Sequence, residues 1–142
     1  MKLGFTGTQE GMTPYQLVKI ALFLARNQPT ESHSGDCVGA DKDFLDLINL
    51  ANLSPKFDKI ITVGHIPSNN SKRAFGQYRI EMEPKPYLER NHNIVDQSDF
   101  IIATPKENNE QLRSGTWATI RYARKSNKKG MIVFPNGDTE DL

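Results

Sequence analysis

The sequence predicts a three-layer α/β domain built on an open parallel sheet of strand order 3-2-1-4-5. Short apolar runs alternate with longer stretches of helical period, in the order β-α-β-α-β-loop-α-β-α-β. Strands that alternate with helices are joined by right-handed parallel crossovers, which place helices on both faces of the sheet. The chain has 142 residues, 37% of them hydrophobic and 25% charged, with no internal repeat and no low-complexity segment, so one domain over residues 1–142 with a single core is expected.

The first strand is "KLGFTG", ending at Gly7. Thr13 is placed to cap the first helix, with Pro14 at its first position and Leu17, Ile20, Ala21 and Leu24 on one face; the helix should end near Asn27. "TESHSG" reads as a weak second strand. Phe44, Leu47, Ile48 and Ala51 form the apolar stripe of a second helix that stops before Pro55, and "KIITVGH" is a strong third strand. Residues 66–86 are rich in Ser, Asn, Pro and charge, and read as a long connection, either mobile or functional. "PYLERNHNIVDQS" reads as a helix with Tyr87, Ile94 and Val95 inward, "DFIIATP" as the fourth strand, "SGTWATIRYARKSN" as the last helix and "GMIVFP" as the fifth strand. Residues 136–142 read as a frayed tail.

The net charge is +1, with five basic and seven acidic residues over 1–58 and thirteen basic and ten acidic over 59–142. No whole-chain field draws such a protein to nucleic acid or membrane, and the second half is the better place for an anion site. Cys37 is the only cysteine, which excludes an internal disulfide and a cysteine-based zinc site. The three histidines show no metal-ligand spacing, and neither a metal nor a cofactor is expected. No apolar run approaches the ~20 residues of a membrane span, and the start "MKLGFTG" lacks the apolar region of a signal peptide, so a cytoplasmic location is expected.

In an open parallel sheet of this order, ligands bind outside the carboxyl ends of the strands where the order reverses, here between the first and fourth strands. Four stretches converge there. Gly7, Thr8 and Gln9 follow the first strand, either as a tight turn or as a ligand contact. "HSGDCVGADKDF" opens the second helix with Gly35 and Gly39 but also with Asp36, Asp41 and Asp43, whose charges already satisfy the helix dipole and repel phosphate. Asp36 and Asp41 suit ribose hydroxyls instead, or they simply cap the helix. His65 ends the third strand. "RSGTWATI" starts the last helix with Arg113, Ser114, Gly115 and Thr116, and no carboxylate lies between Glu110 and Asp138; its bare amides favour phosphate. Trp117 in its first turn is a core or interface anchor or a platform for a base. Lys72, Arg73 and Arg79 with Phe75 and Tyr78 in the 66–86 segment could close over a base and a phosphate. Arg90 and Asn91 are adjacent polar residues on a helix, so one should reach the crevice. Arg121, Arg124, Lys125, Lys128 and Lys129 form a basic stripe that reads as a solvated helix face.

Together "GFTGTQEGMT", "HSGDCVGADKDF", "PYLERNHNIVDQSDFIIATP" and "RSGTWATIRYARKSNKKGMIVFP" resemble the SLOG superfamily, a Rossmann-like group that includes LOG-type phosphoribohydrolases and the DNA-processing protein DprA. The resemblance implies a nucleotide or nucleotide-derived ligand, such as an ADP-ribose, NAD-derived or cyclic nucleotide signal, and carries over Gly35, Gly39, Asp41, Arg90, Asn91, Gly115 and Thr116 as its contacts. It also implies a homo-oligomer. The phosphoribohydrolase branch has a catalytic Glu shortly after the Gly-Thr pair, where this sequence has Trp117, Ala118 and Thr119. A substitute carboxylate would have to be Asp36, Asp41 or Glu89, so binding by a sensor or sequestering protein ranks above nucleotide N-glycosidase activity. Single-stranded DNA binding ranks last, because phosphate contacts need a concentrated basic surface.

Overall fold

A computed structural model describes residues 1–142. Seven strands form one sheet: β1 (Lys2–Gly7), β2 (Glu31–Ser34), β3 (Ile61–Pro67), β4 (Ile80–Lys85), β5 (Phe100–Thr104), β6 (Lys129–Val133) and β7 (Thr139–Asp141). Their spatial order is β4-β3-β2-β1-β5-β6-β7, parallel throughout except for the antiparallel β6–β7 pair. The five strands expected from the sequence stand in the expected order, β3-β2-β1-β5-β6. Both additions are at the edges, and both correct the sequence reading. Residues 66–86, expected as a bare connection, hold a short 3-10 turn (Asn70–Lys72) and β4; residues 136–142, expected as a frayed tail, hold β7. Neither edge strand buries a face, so neither shows the alternation that marks a strand in sequence.

The helices are α1 (Pro14–Asn27), α2 (Ala40–Asn52), α3 (Tyr87–Gln97) and α4 (Gly115–Lys125). Thr13 caps α1 through a capping box with Gln16, and Pro14 occupies the first turn, where its missing N–H costs nothing. Alternation along the central strands sorts the layers. Leu3, Phe5 and Ile102 meet Ile20 and Leu24 of α1 and Phe44 and Ile48 of α2, with the Phe5 and Phe44 rings stacked at 4.3 Å. Ile101 and Ala103 point to the opposite face and pack on Val95 of α3 and on Trp117, Ile120 and Ala123 of α4. The architecture is a three-layer, Rossmann-like α/β fold. No helix is long and apolar enough to cross a membrane.

Two buried polar links hold the carboxyl ends of the strands in place. The Gln16 amide is buried and donates to the Pro105 and Val133 carbonyls, both at 2.9 Å, tying the start of α1 to the ends of β5 and β6. The Ala40 amide donates to the Thr8 carbonyl, which brings α2 against the turn that follows β1. Gly39 makes this approach possible, since its φ is +86° and a Cβ there would lie 2.8 Å from Gln9 Cα.

Candidate functional site

A cleft of about 1110 Å³ opens at the carboxyl ends of the strands, where the sheet order reverses between β1 and β5. The turn after β1 contributes Gly7, Thr8 and Gln9, the turn after β2 contributes Gly35, and the first turn of α2 contributes Asp41. Helix α3 contributes Arg90 and Asn91; the segment before α4 and its first turn contribute Arg113, Ser114, Gly115 and Thr116. Those eleven expected residues meet in one space.

Arg90 is the most unusual of them. It is buried, and its guanidinium takes the room that a Cβ on residue 35 would fill, so only glycine fits there. Nη1 donates to the Gly35 carbonyl and reaches the His65 carbonyl at 3.5 Å, while Nη1 and Nη2 approach Cys37 Sγ at 3.8 and 3.6 Å. Its Nε has no partner, and none of the ion pairs in the chain includes it. Asp41 lies near Arg90 but beyond ion-pair distance, so the buried cation is only partly compensated, and an anion in the cleft would complete that compensation.

Asp41, also buried, accepts from the Cys37 amide at 3.0 Å. Burial outweighs the nearby Arg90 charge and pushes its carboxyl up to about 6. Burial likewise pushes the Cys37 thiol up, so Cys37 stands in the cleft wall as a neutral thiol at pH 7. Across the cleft, Ser114 caps α4 by accepting from the Trp117 amide. Gly115 is exposed, with open space where a Cβ would stand, so the start of α4 is open to an anion.

Five expected residues do not face this cleft. Asp36 is fully buried and turned the other way: its carboxylate accepts from Arg73 Nε and the Gly76 amide, both at 2.8 Å, and anchors the β3–β4 segment rather than a ribose. Gly39 supports the α2 start from behind. His65 is buried and pairs with His33, Nε2 to Nδ1 at 2.9 Å, and its imidazole is held down to about 4 by burial, by the adjacent His33 and by Arg90. Trp117 packs in the core on Ala103, Ile120 and Ile132, with its indole N–H donating to Glu107 at 3.1 Å, so it offers no face to a base. Glu89 is exposed on α3, away from the cleft lining. Of the three carboxylates considered for chemistry, only Asp41 lines the cleft.

The structure also lines the cleft with Lys72, expected from the 66–86 segment, and with residues that were not expected. Tyr87 stands one turn before Arg90 on the same face of α3, with the guanidinium 5.3 Å from its ring centre; the i, i+3 spacing was the available signal. Lys106 and Glu107 arrive on the β5–α4 segment, and Lys106 pairs with Glu10 at 2.8 Å, linking that segment to the β1–α1 turn. Ser71 and Lys72 close one side because the β3–β4 segment is stitched to the β2–α2 turn: the Val38 amide donates to the Lys72 carbonyl, and the Ala74 amide to the Asp36 carbonyl. Arg121 of the basic stripe is paired with Glu110 at 2.9 Å, and Arg124 lies 4.0 Å from both Glu110 and Glu140. Part of that stripe is therefore neutralised.

No protein-family model and no curated protein matches the chain. Among solved structures, it is similar to the molybdenum cofactor binding protein from the phototrophic bacterium Rippkaea orientalis, with a TM-score of 0.68 and 21% identity over 94% of this chain and 76% of that one. At this identity the likeness is one of fold.

Proposed function

We propose that this protein binds a nucleotide or nucleotide-derived molecule in the cleft at the carboxyl ends of its strands, as a sensor or sequestering protein. The observation that carries the reading is the buried Arg90 guanidinium, which has an unpartnered Nε and no carboxylate in an ion pair with it, in the same cleft as the open start of α4. Two separate anion-attracting features fit a ligand with a phosphate at one end and further polar groups at the other. In this reading the stretch from Arg113 to Thr116 takes phosphate, Arg90 takes a second anionic or carbonyl oxygen, and Asp41 accepts from hydroxyls, while the Thr8 amide is already taken by the Thr104 carbonyl. The SLOG resemblance of the sequence supports a nucleotide, and the name of the structural neighbour supports a cofactor-sized ligand.

The decisive experiment is native mass spectrometry of the purified protein, followed by calorimetry against nucleoside mono- and diphosphates, ADP-ribose and cyclic nucleotides. A retained or micromolar-binding nucleotide is the expected result. A protein that purifies empty and binds no member of the panel refutes the reading.

Asp41 favours one second reading, nucleotide N-glycosidase activity. It is a cleft carboxyl that titrates at about 6, within the range of a general acid working near neutral pH. Free base released from nucleoside monophosphates, and lost in Asp41→Asn, would establish it. Binding without release would leave the protein a binder.

A further inference from the structure

The unpaired cations that line the cleft stand at two poles. Arg113 lies beside the open start of α4, whereas Lys72 enters from the 3-10 turn between β3 and β4, and Arg90 from α3. None of the three belongs to an ion pair, while Lys106, the other cation of the lining, is paired with Glu10. Lys72 and Arg90 meet at the β2–α2 turn: the Lys72 carbonyl accepts from the Val38 amide at 2.9 Å, and the adjacent Cys37 Sγ lies 3.6 Å from Arg90 Nη2.

Buried polar atoms without a partner collect at this second pole. Three side-chain atoms of the chain are in that state: Tyr87 Oη, Arg90 Nε and Thr104 Oγ1. Thr104 lies beneath the turn after β1, against Gly7 and outside the cleft lining. The other two belong to residues that line the cleft one helical turn apart on α3, and Arg90 is only 5% exposed. A buried donor left without an acceptor costs more than a made hydrogen bond returns. Side by side, the Tyr87 O–H and the Arg90 Nε–H suit one group with two acceptor oxygens. The charges of Arg90 and Lys72 make an anionic group the better match. Asp41 is the carboxylate nearest to this pole, and with its carboxyl pushed up to about 6 it takes up a proton readily when an anion arrives.

Resting on the nucleotide reading above, we infer that the ligand carries two anionic groups at separate positions: one phosphate at Arg113 to Thr116, and a second at Tyr87, Arg90 and Lys72. The ligand class is a nucleoside bisphosphate with its phosphates at different ribose positions, since contiguous phosphates put both charges at one pole. The cleft, at about 1110 Å³, has room for that span.

Calorimetry with the 5′-monophosphates, 5′-diphosphates and 3′,5′-bisphosphates of adenosine and guanosine tests this. For at least one base, the bisphosphate should bind ~10-fold or more tighter than both the monophosphate and the diphosphate, the gain from one added charge-assisted contact. Tyr87→Phe deletes only the hydroxyl, and Lys72→Ala removes an exposed side chain; each should cut that preference several-fold. Bisphosphates that bind no tighter than monophosphates, or a preference that both variants leave intact, overturn the inference while the nucleotide reading stands. A protein that binds none of these nucleotides refutes both.

Discussion

Acidification acts on buried groups with opposite signs: it costs stability at His65 and at its neighbour His33, both held down by burial, and restores it at Asp41. His65 is buried against His33, and burial, the adjacent His33 and Arg90 hold its imidazole down to about 4. An unfolded histidine titrates near 6.5, so on acidification the unfolded chain takes up the proton first and stability falls between about pH 6.5 and 4. The full separation corresponds to about 3 kcal/mol. Asp41 behaves the opposite way. Burial raises its carboxyl from 3.8 to about 6, so the folded chain takes up that proton first, and acidification through this window stabilises the fold by up to ~3 kcal/mol. At pH 5 about 2 kcal/mol is lost at His65 and about 1 kcal/mol is recovered at Asp41, so the carboxyl offsets part of the histidine loss. Asp41→Asn removes the recovery and should expose the histidine loss. Urea denaturation at pH 7.5 and pH 5 should show the variant losing about 1 kcal/mol more than the wild type over that interval. An Asp41→Asn protein whose stability is no more pH-dependent than the wild type would refute the assignment of a buried, neutralisable carboxyl to this cleft.

Three further substitutions probe the site and its supports. Arg90→Met removes the buried cation of the cleft: nucleotide affinity by calorimetry should fall ~10- to 100-fold, the range for a lost charged hydrogen bond, and because the Gly35 carbonyl loses its donor a urea titration should register a loss of about 1–3 kcal/mol. Gly39→Ala forces a side chain into positive φ, with its Cβ 2.8 Å from Gln9 Cα, and should cost ~1–3 kcal/mol in a urea titration. Thr13→Ala breaks the α1 capping box and the 2.6 Å bond to the Pro135 carbonyl, for a loss of ~1–2 kcal/mol that thermal melting should register.

Most of the fold was legible because its signals are local. The period of the apolar residues, the Thr13-Pro14 start of α1 and the Ser114 cap of α4 are each written within a few residues, and chirality then orders the five inner strands. The same logic located the cleft, since a reversal in strand order forces the turns after β1 and β5 apart. The edge strands β4 and β7 escaped because a strand that buries no face needs no alternating pattern; β4 is recruited by backbone pairing to β3 rather than by its side chains.

Which polar groups face the cleft was a different question, and tertiary structure alone answered it. Asp36 and Asp41 stand five residues apart in one turn and read alike in sequence, yet Asp36 is claimed by Arg73 and Gly76 from the far side of β3 while Asp41 is left to the cleft. Trp117 reads as a possible base platform until Ala103 and Ile132 bury it, and Arg90 keeps an unpartnered Nε only because the fold seats it on Gly35 beyond ion-pair distance of any carboxylate. A side chain's chemistry is local, but its unsatisfied valence depends on partners tens of residues away. Composition and spacing therefore determine where a site opens, and long-range packing determines which groups in it remain free to bind.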